Sequence, residues 1–594
     1  MDAGAEGGAQ VATEVDVLVV GAGPTGLLLG AELALGGVRV EILERRTGAQ
    51  RDSRALTLHP RSVELMDQRG LVERFLARGR PVTGWHFAGL DTPLDFGALD
   101  TRHGYTLFLA QARTERLLAE RARELGVPVR RGHEVIGLRQ DDGGDGDGDG
   151  DGGEHGDGHG DGALRGADGS DGGRGGPAQA GRGAAAGGVA VEVRGPGGEV
   201  RTVRARYVVG CDGGRSVVRR AAGIAFPGTD ETLTGVLGDF AVVDPAALDR
   251  ARAHGVLVAP LEESDDPAEG RADSPAEGRT DTPAAAQANA QAENPTRGLT
   301  RIVFVDPRRM RTPSAEPVTL DEFRTSLAEI CGTDCGVAEP RWLSRFGNAT
   351  RLAARYRAGR VLLAGDAAHI HFPAAGQGLN TGLQDAMNLG WKLAAEINGW
   401  APPGLLDSYH AERHPVGRAV TENTEVQTLL LELTLLPPYQ RPAAALRTLL
   451  TELLGIEEVN RRLAARISAL DTVYPPTATC TGPLVGQRMP DVGLTAAGSA
   501  AVRAHELLLP GRFVLLDLAG DAQLSRTVTA GWGSQVTPFH VTRHDHRTDL
   551  DGVREILIRP DGHIAWATRT PALPARRRER HHALTGWAGT PVQG

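Results

Sequence analysis

Three glycines, Gly21, Gly23 and Gly26 in the run GAGPTG, have the G-x-G-x-x-G spacing of a dinucleotide-binding turn. Gly21 permits the tight turn, Gly23 lets backbone approach a pyrophosphate, and Gly26 allows a helix to pack close to a strand. Pro24 and Thr25 open that helix, whose N-terminus then faces the phosphates. Glu44 lies one strand further on. A carboxylate there accepts hydrogen bonds from both ribose hydroxyls of an adenosine and disfavours a 2′-phosphate. Two more carboxylates sit among glycines: Asp212 in YVVGCDGGRSVVRR (207–220) and Asp366 in RVLLAGDAAHIHFPAAGQGLNTGLQDAMNLGWKLA (360–394). Asp366 follows an apolar run, at the carboxyl end of a strand, where a carboxylate suits a sugar hydroxyl. Pro373 stiffens the loop after it. In Gly376-Gln377-Gly378-Leu379-Asn380 the glycines let backbone N–H groups face a ligand as a helix begins. His369 and His371 have HxH spacing, read here as loop packing with no metal. Cys331 and Cys335 have CxxxC spacing without a second Cys or His pair, and read as ordinary thiols. No residue stands out as a general base.

Positioning these groups requires alternating strands and helices. The runs 16–20, 25–36 and 39–43 predict a strand–helix–strand unit. Helices are expected over 62–69 and 114–125, and strands over 127–131, 134–140, 189–193, 200–209 and 360–364. A helix from about 380 to 398 is followed by further helices to about 469. The last stretch returns to strands at 512–518, 539–542 and 554–559, the last turning at Pro560-Asp561-Gly562 into 563–568.

Charge and glycine are unevenly spread. The net charge is −10 and the chain holds 80 glycines. Residues 141–188 carry 21 of those glycines and 11 acidic residues against 3 arginines; residues 262–297 carry 9 acidic against 3 basic. The rest of the chain is therefore near +4, and the acidity belongs to two inserts. Asp/Gly alternation buries nothing, so 141–188 is expected to be a disordered, overgrown hairpin loop. The Pro/Ala/Glu-rich 262–297 reads as a second such loop within a β-region. The balance gives no support for nucleic-acid binding. Lys392 is the one lysine among 65 basic residues, and a bias toward GC-rich codons accounts for that. The glycines, proline and Glu32 within 17–37 argue against a membrane span. No secretory leader is read, and a cytoplasmic protein is expected.

The three motifs in this order resemble those of the class A flavoprotein monooxygenases, the group of para-hydroxybenzoate hydroxylase, over roughly 14–402 outside the inserts. The resemblance implies FAD as cofactor and NAD(P)H as co-substrate. The first motif would hold the ADP half of FAD, the Asp212 motif would serve FAD and NAD(P)H, and the Asp366 motif the ribityl chain. The amides at 376–380 would meet the pyrimidine edge of the flavin. Arg45, Arg54 and Gln111 match flavin-contacting positions of the family. Arg215 is a candidate for nicotinamide-cofactor phosphates, with an ion pair inside the fold as the other reading.

The tail resembles the C-terminal thioredoxin-like domain of actinomycete polyketide hydroxylases, on 484–490, GRFVLLDL (511–518) and ILIRPDGHIAWAT (556–568). It has no CxxC, and Cys480 is alone, so dithiol exchange is excluded and a structural or dimer-contact role is expected. The implied fold is α/β: a Rossmann-like FAD-binding domain (14–78, 105–223, 345–402), an inserted β-sheet substrate domain (79–104, 224–344), a helical connection (403–470) and a thioredoxin-like α/β domain (471–594).

The implied activity is hydroxylation of a polycyclic polyketide-type phenol with O2, through a flavin C4a-hydroperoxide, by a monomer or homodimer. Trp85, Phe87 and Phe240 could line the substrate pocket or belong to the core, with core preferred. A Baeyer–Villiger or antibiotic-inactivating monooxygenase of the same family is the nearest alternative. A NAD-dependent dehydrogenase would explain 21–44 alone, and a non-catalytic flavin-binding protein would use the acidic inserts as contacts.

Overall fold

The computed structural model describes residues 14–50, 52–141, 187–261, 299–477, 480–498 and 500–592. The inner part of the first acidic insert (142–186) and the whole of the second (within 262–298) lie outside the described residues, as does the disorder expected of them.

Five strands run parallel in the order Val129–Arg131, Val40–Glu44, Glu14–Val20, Val200–Gly210, Val361–Leu363. In chain order this is 3-2-1-4-5, a doubly wound sheet whose direction of growth reverses between the first and fourth strands. Val17, Leu18 and Val19 are fully buried, as expected of a parallel strand covered on both faces. Helix Pro24–Leu35 lies against helix Gln377–Ile397 at a distance only glycine allows. A Cβ on Gly390 would stand 2.6 Å from Glu32 Cβ, and one on Gly36 2.6 Å from Ala394 Cβ.

Both inserts emerge from hairpins. Glu134–Gln140 pairs antiparallel with Val189–Arg194, with Gln140 opposite Val189, and the Asp141 N–H donates to the Gly188 carbonyl at 2.9 Å. Leu257–Leu261 pairs with Leu299–Phe304, with Leu261 opposite Leu299. Each insert thus returns to the point where it leaves, which is why such length costs the fold little.

The second sheet has the order Leu257–Leu261, Leu299–Phe304, Thr234–Val242, Ala338–Gly347, all antiparallel. Alternation along the strands divides its faces. Val236, Phe240, Ile302 and Phe304 pack under helices Pro245–Ala253 and Leu320–Cys331, with Phe240 5.0 Å from the Phe323 ring; Phe240 is core. The opposite face carries Asp239 and Arg301, a buried bidentate pair with both bonds at 2.7 Å. Arg301 also donates to the Arg54 carbonyl at 3.3 Å, so this face meets the first domain.

Helices Ser408–Leu435, Gln440–Leu454 and Glu457–Ser468 follow. Leu454, Ala464 and Ile467 form one apolar cluster with Phe87, Leu94, Phe96 and Ala375, so Phe87 too is core, and these helices close over the 85–99 segment. No helix among the described residues is long and apolar enough to cross a membrane.

The last sheet has the order Val536–His540, Phe513–Asp517, Glu555–Ile558, Ile564–Thr568, the first pair parallel and the others antiparallel, with helices Leu524–Trp532 and Leu573–Ala588. This is the strand order of thioredoxin. Where a dithiol would precede the first of these helices stands Asp521, paired with Arg577 at 2.7 Å and Arg580 at 2.9 Å.

Buried ions join this domain to the first. Arg559 places two N–H groups on Glu412, both at 2.8 Å, beside Asp561 and among the rings of Trp391, Tyr474 and Trp587. Lys392 Nζ reaches Glu412 at 2.7 Å. Arg69 pairs with Glu32 through two 2.7 Å bonds and also donates to the Leu508 and Pro560 carbonyls. Burial opposes the charged form of Glu412, but Arg559 and Lys392 outweigh it and hold its pKa down to about 2. For Lys392 burial wins, and its pKa falls to about 8.

Candidate functional site

The three motifs meet at the carboxyl ends of adjacent strands. Val20 is level with Gly210 and Leu43, and Gly210 with Leu363. Gly21, Asp212 and Asp366 therefore leave the sheet side by side at the switch point, where open α/β sheets bind ligands. Gly21 has φ +106°, and a Cβ there or on Gly26 would collide with backbone oxygen, of Cys211 and Gly21 respectively. Gly23 differs: a Cβ on it would meet nothing within 4 Å. It opens onto free space at the head of helix Pro24–Leu35, where no side chain caps the N–H groups. Glu44 is held by two backbone donors, Ala22 N–H to Oε2 and Arg46 N–H to Oε1, each at 2.9 Å. Its carboxylate is thus fixed at the edge of the same space.

Asp366 is exposed on a short turn after Val361–Leu363. The turn rests on buried charge. Asp385 accepts from the Gly365 N–H at 3.0 Å, His369 Nε2 at 2.8 Å and Arg413 Nε at 2.7 Å. Burial alone would raise the Asp385 carboxyl; Arg413 and His369 overcome it and hold it below the ordinary range. Thr25 Oγ1 lies under the same turn, where a Cβ on Gly365 would stand 2.7 Å from it. His369 is therefore part of the ion network, while His371 Nδ1 bonds the Phe372 carbonyl and burial lowers its pKa. The group of carboxylate and imidazole atoms closest to a metal-ligand arrangement among the described residues is Asp67, Asp491 and His505. The cation there is Arg503, which donates to Asp67 at 2.6 Å and to Asp491 at 2.7 Å.

Helix Gln377–Ile397 also starts at the site without a side-chain cap, entered through Ala375 (φ 52°, ψ 16°) and Gly376 (φ 71°, ψ 30°). The left-handed conformation costs roughly 1–2 kcal/mol for alanine, so the surroundings must hold it. Pro373 precedes it, exposed, and Gly378 and Leu379 are half-buried at the helix start.

Several expected ligand residues turn inward. Asp212 Oδ2 accepts from the Val217 and Val218 N–H groups at 2.7 and 3.3 Å, and Oδ1 is buried. Burial raises its pKa, and it shapes the turn between Gly210 and the short helix Val217–Ala221. Gln111 accepts from the Ala55 N–H and donates to Glu115, tying down the loop that carries Arg54. The Asn380 side chain accepts from the His59 N–H at 2.7 Å and donates to the Gly376 and Thr57 carbonyls at 2.8 and 3.1 Å. Arg45, Arg54 and Arg215 are exposed.

The residues at the switch point fit a flavin dinucleotide: two helix starts without a side-chain cap for anionic groups, an open approach at Gly23, and the carboxylates of Glu44 and Asp366 along the sheet edge. Residues 14–147 and 182–424 match the model of the FAD binding domain, and residues 482–591 that of the aromatic-ring hydroxylase C-terminal domain. The chain belongs to the FAD-dependent aromatic-ring hydroxylases. This hydroxylase is 41% identical to a rifampicin monooxygenase of Streptomyces venezuelae over 94% of this chain and 98% of that one. It is 40% identical to a 12-dehydrotetracycline 5-monooxygenase/anhydrotetracycline 6-monooxygenase of Streptomyces rimosus, over 97% and 99%. The solved structure of OxyS anhydrotetracycline hydroxylase from S. rimosus superposes with a TM-score of 0.75 at 37% identity, covering 98% of this chain and all of that one. The hydroxylase is thus an FAD-dependent monooxygenase.

Three parts of its site went unread in the sequence. Asp385 and Arg413 were one, although a carboxylate within the apolar run of 383–395 was a usable signal. Arg219 was another: it donates to the Gly214 and Ala367 carbonyls at 2.9 and 2.8 Å, joins two motifs, and lies 3.7 Å from the Phe226 ring centre. His59 was the third; its bonds to Asn380 and Ala375 span more than 300 residues, and nothing local marks it.

Proposed function

We propose that this monooxygenase uses NAD(P)H and O2 to hydroxylate a polycyclic aromatic phenol of the polyketide type. The observation that carries the placement of FAD is the level alignment of the three motifs at the switch point, with open space at Gly23. Gly21, Gly23, Pro24, Thr25 and Gly26 would shape the pyrophosphate turn, and Glu44 would take the adenosine ribose. Arg45 and Arg54 would flank the cofactor, and Asp366 would bond the ribityl chain. The amides at Gln377, Gly378 and Leu379 would face the pyrimidine edge, and Arg215 the phosphates of NAD(P)H. Asp212, Gln111 and Asn380 would act by holding backbone in place. Bound FAD supplies the redox chemistry, taking a hydride from NAD(P)H and passing one oxygen atom of O2 to the substrate. The chain's part is to bind, orient and exclude water.

The substrate would lie between the flavin and the Asp239–Arg301 face of the second sheet, since that face meets the Arg54 loop. This supports the division into a FAD-binding domain (14–78, 105–223, 345–402), a substrate domain (79–104, 224–344), a helical connection (403–470) and a thioredoxin-like domain (471–594). The protein would work in the cytoplasm as a monomer or homodimer. The test is a panel of tetracyclic and angular phenols, with substrate-stimulated oxidation of NADH and NADPH and product structure by NMR. A new phenol is expected, and a lactone would replace hydroxylation by Baeyer–Villiger oxidation. Similarity to a rifampicin monooxygenase supports a second reading, antibiotic inactivation, so rifampicin belongs in the same panel.

A further inference from the structure

The carbonyl of Ala375, at the left-handed entry to the Gln377 helix, accepts two ring N–H groups. His59 Nε2 donates at 2.7 Å and Trp85 Nε1 at 3.1 Å. A carbonyl only accepts, so His59 carries its hydrogen on Nε2 and its Nδ1, 3.1 Å from Thr106 Oγ1, accepts from that hydroxyl. The ring is fully buried, edge-on to Trp85 and Phe96. Burial, with His86 nearby, pushes its pKa down to about 4, so it stays neutral near pH 7. The backbone of the same residue is bonded too: its N–H donates to Asn380 Oδ1, and Asn380 Nδ2 donates to the Gly376 carbonyl. The carbonyls of both left-handed residues are thus held, and His59 contributes to both holds. Trp85 comes from a separate element, the hairpin of Gly84–Trp85 with Leu94–Asp95.

We propose that His59 and Trp85 are positioning residues: by fixing the Ala375 carbonyl they hold the turn that aims the first N–H groups of the Gln377 helix at the reducible end of the flavin. This rests on the placement of FAD given above. Peptide planes are rigid, so a carbonyl held on one side fixes the direction of the amides that follow. Those amides stabilise negative charge, which grows on reduction, so their aim sets how much more tightly reduced FAD is held than oxidised FAD. Trp85 gives the 79–104 segment a direct hold on that aim.

The experiment uses the holoprotein and its H59L, H59Q and W85F variants. FAD-to-protein ratio, flavin absorption spectrum and midpoint potential by dye equilibration are measured. H59L is expected to keep FAD while its preference for reduced over oxidised FAD falls about tenfold, a potential about 30 mV more negative for a two-electron couple. W85F should shift the same way by less, and H59Q, which restores an N–H at similar reach, should return toward wild type. Unchanged potential and spectrum in both H59L and W85F overturn the proposal and leave the FAD site standing. Wild type that takes up no FAD would instead overturn the site. If H59L does not fold, W85F decides alone, because phenylalanine keeps an aromatic ring against the apolar cluster while removing the donor.

Discussion

Gly23→Ala separates binding from folding more cleanly than any other change at the site. Gly23 has φ −75° and ψ 179°, a conformation alanine adopts freely, and its Cβ would meet nothing within 4 Å. Folding therefore feels two small opposed effects. Alanine narrows the unfolded ensemble, worth about 0.4–1 kcal/mol, and it is a poorer helix N-cap than glycine by roughly 1 kcal/mol. Apoprotein stability should stay within about 1 kcal/mol of wild type. Binding should differ, because the methyl would fill the space through which, in the proposed placement of FAD, the pyrophosphate meets the helix N–H groups. Loss of one charge-assisted hydrogen bond costs roughly 1.5–3 kcal/mol, about a 10- to 150-fold rise in the Kd for FAD. Gly26→Ala is the contrast: its Cβ would strike the Gly21 carbonyl oxygen, and overpacking of this kind costs roughly 1–3 kcal/mol of fold stability. Fluorescence titration with FAD and calorimetry of the apoproteins measure both quantities. An unchanged Kd in G23A, or an apoprotein Tm that drops as far as in G26A, would refute the placement of the pyrophosphate.

Asp366→Ala should weaken FAD binding roughly 10- to 100-fold and leave the apoprotein Tm almost unchanged, as equilibrium dialysis and calorimetry would show. Glu412→Leu leaves Lys392 without its carboxylate and Arg559 with Asp561 alone, and should cost about 3–5 kcal/mol in denaturant unfolding. Lys392→Met should be neutral or stabilising, because burial already disfavours the charged amine. Between pH 8 and 10.5 the folded protein has released the Lys392 proton while the unfolded chain retains it. Wild type should therefore gain stability relative to K392M as pH rises through that window, and a falling difference would contradict the sign. Replacing 142–186 by a two-residue turn should preserve FAD binding and add up to about 2 kcal/mol from the shorter loop closure; lost flavin uptake would give the insert a structural role.

The parallel sheet and its turns were legible because each is a local pattern: apolar run, glycine, helix. The element limits shift by one to three residues, as at Gln377–Ile397 against an expected start near 380. Glycine spacing also told where backbone must come close, since Gly21 and Gly26 have no room for a Cβ. A motif does not by itself give the direction of a side chain. Gln111 and Asn380 stand at ligand-facing positions in the sequence, yet their polar atoms are committed to backbone or to neighbouring side chains, whereas Asp212 commits Oδ2 to backbone and keeps Oδ1 buried with no hydrogen-bond partner among the described residues. A helix start or loop needs such partners as much as a cofactor does, and the two demands select the same residue types. The bonds of His59 to Ala375 and Asn380, and of Arg559 to Glu412, were invisible for another reason: they join segments 147 to 321 residues apart, and sequence spacing carries no record of them.

The sole lysine has a practical consequence. Its amine is sealed against Glu412 between the first and last domains, so amine-reactive labels and lysine-directed crosslinkers should find no side-chain target while those domains stay docked. The rate at which Lys392 becomes labelled would time their separation, with no engineered probe.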